Sequence, residues 1–250
     1  MQNIDTVLSE HTRVMLQFSG GMDSLAILYL CQSAWDKIVA VWCNAGDELP
    51  ETMAVIEAVK KLPIKFLEVR PVIPQPISIQ RYGVPSDVVA LRNTHDYAYL
   101  AGRDMTGVAL QHPMSCCERL LFRPLMDAVR EYGATLVVRG QRLSESMVSP
   151  VRSGDIVDGV EFLMPLERWS RAQVWEYLTD IEVEIPAYYQ HVAHSLDCAT
   201  CTAFLDQSRD KIKYLKTHHP AKYDIVHDRL SRIKESVKNE YLHLIKAVEI

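Results

Sequence analysis

The chain has 250 residues, 48% hydrophobic and 24% charged, with six cysteines and a net charge of −5, the balance of an ordinary globular protein long enough to bury one large core. No apolar run approaches a membrane span, and the opening MQNIDTVLSEHTR lacks the basic start, apolar middle and cleavage site of a secretory signal, so a cytoplasmic protein without a membrane partner is expected. The charge excludes a global pull towards nucleic acid, although residues 209–246 mix many Lys, Arg and His with the acids and leave a local basic patch open.

In chain order, residues 13–18 (RVMLQF) read as a short buried strand, and residues 24–34 carry Leu25, Leu28 and Cys31 at helical spacing, with Ile27 and Leu30 alongside. Residues 37–43 (KIVAVWC) form a second buried strand. Residues 51–62 form a helix with Met53, Ile56 and Val59 on one stripe, ended by Pro63, and residues 64–69 form a third strand. Alternating strands and helices with nearly continuous apolar strands predict a parallel sheet covered by helices. Residues 70–95, with Pro71, Pro74, Pro76 and Pro85, are expected to be an irregular excursion at the ligand-binding edge. There follow a helix over 118–132 stopped by Gly133, a strand over 134–142 leaving the sheet at Gly140, and the second arm of a hairpin over 158–166. A short helix over 171–178 comes next, with Val174 and Leu178 inward and Trp175 beside them. Beyond Cys201 the chain is helical and mixed in charge. The fold class is therefore α/β, a parallel sheet with helices on both faces and a helical C-terminal tail, divided into residues 1–205 and 206–250.

The stretch FSGGMDS, residues 18–24, ends the first strand and opens the first helix. Backbone N–H groups at a helix N-terminus attract an anion, and glycines let the backbone approach phosphate oxygens. Ser19 and Ser24 add hydroxyl donors around Gly20 and Gly21. Asp23 is a poor phosphate ligand by charge and suits a metal ion or the N–H groups of the loop itself. No lysine follows the glycines, so the pattern is not the P-loop. Arg142 lies just past the end of a strand, where a guanidinium can grip phosphate or sulfate with two parallel hydrogen bonds.

Four cysteines cluster as Cys116-Cys117 and Cys198-x-x-Cys201, while Cys31 and Cys43 stand in apolar surroundings and read as buried core thiols. Thiolates at i and i+3 suit a metal or an iron–sulfur cluster. A four-cysteine zinc site usually uses two C-x-x-C knuckles, and a redox disulfide leaves the vicinal pair unexplained.

Together these segments resemble the PP-loop ATP pyrophosphatases (adenine nucleotide alpha-hydrolase-like), and within them the phosphoadenylyl-sulfate (PAPS) and adenylyl-sulfate (APS) reductase branch. The glycine motif is matched at Ser19, Gly20, Gly21, Asp23 and Ser24. NAGDELPET keeps Gly46, Pro50, Glu51 and Thr52 of that branch, with Asn44 and Ala45 in place of its Asp and Thr. RGQRLSES keeps Gly140, Arg142, Glu145 and Ser146, and residues 164–186 (MPLERWSRAQVWEYLTDIEVEIP) run close to a further segment. The resemblance implies nucleotide binding by Ser19, Gly20, Gly21, Asp23, Ser24, Gly46, Gly140 and Arg142, with Asp23 and Arg142 catalytic. It also implies a [4Fe–4S] cluster on Cys116, Cys117, Cys198 and Cys201.

Three departures qualify it. The branch carries a nucleophilic cysteine in an ECGLH-like tail, whereas this chain has no cysteine after Cys201. Leu120 and Leu121 stand where the branch has Arg-Lys, leaving Arg119 or Arg123 to replace that cation. The glycine loop is intact, as in the ATP-cleaving members. The resulting expectation is an iron–sulfur enzyme binding ATP with Mg²⁺ and releasing pyrophosphate to activate an acceptor, linked to sulfur metabolism or thio-modification. Asp23, together with Asp47 or Glu51, would then supply the metal-side carboxylates. The alternatives are an APS/PAPS reductase using a thiol-donor or reductant protein, and a non-catalytic nucleotide- and cluster-binding sensor or assembly subunit. His191, His194, His218 and His219 are read as surface or packing residues, and a homo-oligomer stays open.

Overall fold

The computed structural model describes residues 4–102, 107–145, 149–196 and 198–249; Ser146 lies outside the described residues. The chain opens with α1 (Ile4–Glu10), β1 (Val14–Gln17), α2 (Met22–Leu30), β2 (Ile38–Cys43), α3 (Pro50–Val59) and β3 (Lys65–Val69). A small lobe follows, made of α4 (Gln75–Tyr82), β4 (Val84–Pro85), α5 (His95–Ala101) and β5 (Leu110–Gln111). Then come α6 (Pro113–Cys117), α7 (Arg123–Tyr132), β6 (Leu136–Val138), β7 (Ile156–Val157), β8 (Val160–Leu163), α8 (Arg171–Asp180), α9 (Leu205–His218) and α10 (Pro220–Val248).

The main sheet runs β3-β2-β1-β6-β8-β7, parallel except for the β7–β8 hairpin at its edge. Its central strands are apolar on both sides because both faces are covered. Val14 and Leu16 of β1, Ile38, Ala40 and Trp42 of β2, and Leu136 and Val138 of β6 enter one core cluster with α2, α3, α8, α9 and α10. The alternate residues Met15, Val39, Val41 and Val137 point into the other, against Ala128 and Val129 of α7. This period-two division is the pleat of a strand buried on both faces. Tyr214, Leu215 and Val226 place both C-terminal helices on the larger cluster.

Two sequence expectations are corrected. Residues 70–95 are largely ordered: Pro74 caps α4 and Pro76 sits in its first turn, where a missing N–H is harmless, so these prolines start a helix. β4 then pairs parallel with β5 in a separate two-stranded sheet. The helix expected over 118–132 begins earlier, at Pro113, and widens into a π turn over Glu118–Phe122 before α7. Pro124 explains the widening, because it cannot donate to the Leu120 carbonyl and its ring crowds that oxygen. The freed carbonyl accepts from the Cys43 thiol at 3.2 Å.

Candidate nucleotide and cysteine site

β1 lies between β2 and β6, and the chain runs from it towards opposite edges of the sheet, so the crevice beyond its C-terminal end is the ligand position of an open α/β sheet. Residues 19–21 cross it and Met22 starts α2. Gly20 adopts φ +81°, and a Cβ there would come within 3.1 Å of the Thr52 methyl on α3. Ser24 Oγ donates to the Gly21 carbonyl at 2.8 Å and the Gly21 N–H donates to Ser19 Oγ at 3.3 Å. The Met22 N–H donates to Tyr189 Oη at 2.8 Å. Sequence reasoning missed Tyr189, since it comes 167 residues later in no motif; its ring is buried against Tyr188.

Asp23, in the first turn of α2, is gripped by Arg142, with Nε to Oδ1 at 2.8 Å and Nη2 to Oδ2 at 3.2 Å. The fork-to-fork geometry expected for Arg142 on a ligand is thus met by a carboxylate of the chain itself. Burial raises the Asp23 pKa against the pull of Arg142. Glu145, 3.5 Å from Arg142, is raised by burial and then by the Asp23 charge. Burial and the charges of Arg171 and Arg142 hold His194 below its ordinary value. Gly140 has a packing role here: a Cβ would sit 2.9 Å from the Asp23 backbone, so only glycine lets the end of β6 meet the first turn of α2.

The loop after β2 folds on itself and then onto the cysteines. The Ala45 and Gly46 N–H groups donate to the Glu48 carboxylate at 2.9 and 3.0 Å. Asp47 is only 4% exposed. It accepts from the Thr200 N–H at 2.7 Å, Thr200 Oγ1 at 2.6 Å, Gln75 Nε2 at 2.9 Å and Lys222 Nζ at 2.5 Å. Its own carbonyl accepts from the Ala199 N–H at 2.9 Å. Glu51 accepts from Tyr214 Oη at 2.6 Å and lies 2.7 Å from His219 Nε2. Asp47 and Glu51, two of the three residues expected as metal-side carboxylates, therefore tie the loop to the C-terminal half of the chain.

Cys116 and Cys117 end α6, and Cys198 and Cys201 bracket a turn closed by the Cys201 N–H on the Cys198 carbonyl at 2.9 Å. All four line one cavity of about 350 Å³, together with Leu120, Leu121, Glu145, His194 and Lys211. Among the described residues there is no disulfide, and no group of three or more His, Cys, Asp or Glu side chains is gathered to hold a metal ion. Cys198 takes φ +49°, a left-handed conformation costing a non-glycine residue about 1 kcal/mol. Burial, with Cys117 and Cys201 alongside, pushes the Cys116 thiol up to about 12; burial and Cys201 push Cys117 up to about 11. Arg119 and Arg123 do not line the cavity: Arg119 lies over the Tyr82 ring, 4.2 Å from its centre, and Arg123 pairs with exposed Glu118 at 2.9 Å. Arg119 still acts on the Cys116 thiol from that position, as does Arg229 of α10, while Lys211 of α9 is the cation on the cavity wall; the sequence left the role of both helices open.

The chain is similar to the adenosine 5′-phosphosulfate reductase of Allochromatium vinosum, 27% identical over 155 residues that cover 60% of this chain and 58% of that one. The reductase of the same name from Burkholderia cepacia is 22% identical over 217 residues, 84% of this chain and 79% of that one. The crystal structure of phosphoadenylyl-sulfate (PAPS) reductase from Candida auris, a phosphate complex, covers 76% of this chain and 82% of its own at a TM-score of 0.50 and 16% identity, a likeness of fold. The profile of the phosphoadenosine phosphosulfate reductase domain matches residues 13–204. With the parallel sheet, the glycine loop and the ordered downstream segments behind that match, the chain belongs to the phosphoadenosine phosphosulfate reductase domain family.

Proposed function

We propose that the chain binds a sulfonucleotide, adenylyl sulfate or its 3′-phosphate, at the crevice beyond β1, and presents it to a thiol supplied from outside these 250 residues. The observation that carries the reading is the single cavity joining the four clustered thiols to Glu145 and His194, the neighbours of the Asp23–Arg142 pair. Cys116, Cys117, Cys198 and Cys201 fit an iron–sulfur cluster: they are soft donors on one cavity, in no disulfide, with the buried Lys211 on the same wall. A cluster, when bound, supplies a polarising charge next to the sulfate.

The chain's own residues then bind and orient. Arg142 exchanges part of its hold on Asp23 for sulfate or phosphate oxygens, with Arg171 adding positive charge nearby. The external thiolate attacks the sulfate sulfur; an S–S bond forms, the S–O bond to the phosphate breaks, and the adenosine phosphate leaves with the electron pair. Cys31 and Cys43 are not that nucleophile, because burial pushes both up to about 12. Residues 1–205 form the nucleotide- and cysteine-bearing unit in this reading and 206–250 a helical extension packed on it.

One observation favours a second reading, ATP with Mg²⁺ and release of pyrophosphate: the glycine motif is complete and opens α2. Against it, both Asp23 oxygens are engaged by Arg142 and the Met22 N–H by Tyr189. Anaerobic calorimetry with ATP, APS and PAPS, with and without Mg²⁺, separates them. We expect Mg²⁺-independent binding of APS or PAPS; binding of Mg²⁺–ATP alone overturns the proposal in favour of the second reading. Sulfonucleotide binding without turnover, when a dithiol donor is supplied, would favour the non-catalytic sensor.

A further inference from the structure

We infer that Lys211 of α9 is the counter-cation of the cysteine cavity, offsetting the negative charge of a thiolate-bound iron–sulfur group and setting its reduction potential, with Arg229 of α10 in support. The inference rests on the four-thiol reading above and adds a task for the C-terminal helices. Lys211 is only 7% exposed and lines the cavity, an unusual place for a lysine unless an anion meets it. Its Nζ donates to the Cys198 carbonyl at 3.3 Å and its charge acts on the Cys117 thiol. Among the described residues no carboxylate pairs with it: the adjacent Asp210 is taken by Lys213 and Asp47 by Lys222.

Arg229 stands behind the same turn, with Nη1 donating to the Thr200 carbonyl at 2.8 Å and to Thr200 Oγ1 at 2.9 Å. Its charge acts on both Cys116 and Cys201. Four thiolates around an iron–sulfur core leave a net negative charge that becomes more negative on reduction. In a cavity walled by Ile79, Leu120 and Val192 that charge is poorly screened. Leu120 and Leu121 give it no cation of their own; Arg119 of the π turn acts on Cys116 from outside the cavity, over the Tyr82 ring, so the cation on the cavity wall itself comes from α9, with α10 behind it.

The test is an anaerobic redox titration of the cluster-loaded full chain, followed by the paramagnetic resonance of the reduced form and by iron loss to a chelator. Lys211→Met keeps the buried stem and removes the charge. We expect a more negative midpoint potential and several-fold faster iron loss, with Lys211→Arg restoring wild-type values. Arg229→Gln is expected to shift the potential the same way by less, and it serves as the readout if Lys211→Met does not fold. Cluster-loaded variants with unchanged potential and iron retention overturn the assignment of Lys211 and Arg229 alone. Wild-type protein that holds no iron overturns the four-thiol reading and this inference with it.

Discussion

Asp47 is the residue whose removal says most about how the site is held. Its buried carboxylate accepts three hydrogen bonds from uncharged groups, two from Thr200 and one from Gln75, and a fourth from the ammonium of Lys222. Asp47→Ala leaves the three uncharged donors without their acceptor. At about 1–3 kcal/mol for each buried donor so orphaned, and with partial relaxation around Thr200, the expected loss is about 3–5 kcal/mol. Lys222 is a third exposed and regains water, so it adds at most about 1 kcal/mol. Asp47→Asn keeps one acceptor oxygen, and about half the loss is expected. Urea unfolding by circular dichroism reads both values from the midpoint at constant slope. Because Thr200 sits between Cys198 and Cys201, the same variants should lose iron faster although Asp47 touches no thiol. A loss below about 1 kcal/mol for Asp47→Ala would refute the reasoning, since the donors would then have found other partners.

Three further outcomes follow from the same geometry. Tyr189→Phe keeps the buried ring and frees the Met22 N–H, so it should cost about 1 kcal/mol and tighten sulfonucleotide binding several-fold by calorimetry; weaker binding would mean that the hydroxyl itself meets the ligand. Gly140→Ala drives a methyl into the Asp23 backbone and should destabilise by about 1–3 kcal/mol in urea while weakening binding; unchanged stability would deny the close approach. Glu51 is held below its usual pKa because hydrogen bonds from Tyr214 and His219 outweigh its burial. Its contribution is therefore present above the unfolded value of 4.5 and lost as pH falls through the lowered folded value. Glu51→Gln should flatten the acid limb of a stability–pH series measured between about pH 6 and pH 3.5; an unchanged limb would remove Glu51 from it.

The strands and helices of the main sheet were legible because their apolar residues keep the period of the element they form: β1, β2 and β6 alternate between two cores. The small lobe over 70–95 was misread for a physical reason. Proline is a breaker in mid-helix and a starter in the first turn, and position within an unknown helix decides which, as Pro74 and Pro76 show. At the site, the residue types of the glycine loop, Arg142 and the four cysteines were legible from local motifs. Tyr189 on the glycine loop, Asp47 on the Cys198–Cys201 turn and Lys211 in the cavity were not, since each makes its contact across a gap in sequence that no local pattern records. Leu120 and Leu121 are visible as a departure, and of the two neighbouring cations Arg119 acts on Cys116 from outside the cavity while Arg123 is paired with Glu118. Lys211 on the cavity wall and Arg229 behind it come from helices that enter the site only through tertiary packing.

The completeness of the glycine motif looked, in sequence, like an argument for ATP, and the hydrogen bonds change its weight. A loop binds an anion with the donors it has left. Here the Met22 N–H is spent on Tyr189, the Gly21 N–H on Ser19, and the Gly46 N–H on Glu48, while Arg142 holds Asp23 in a two-bond fork. A triphosphate would have to displace several of these at once, each worth about 1 kcal/mol net, and would need a metal carboxylate that Arg142 has already taken. A sulfate or a single phosphate need only share Arg142. The raised pKa of Asp23 eases that exchange in a definite direction: below the folded value the carboxyl is protonated, its charge no longer holds the guanidinium, and Arg142 turns to the ligand. Sulfonucleotide affinity should accordingly rise as pH is lowered towards the carboxylate range, and Asp23→Asn should bind more tightly at neutral pH with the pH dependence reduced. A requirement for ionised Asp23, seen as binding that collapses in Asp23→Asn and recovers with added Mg²⁺ only in the wild type, is the behaviour of a metal carboxylate and would return the loop to ATP.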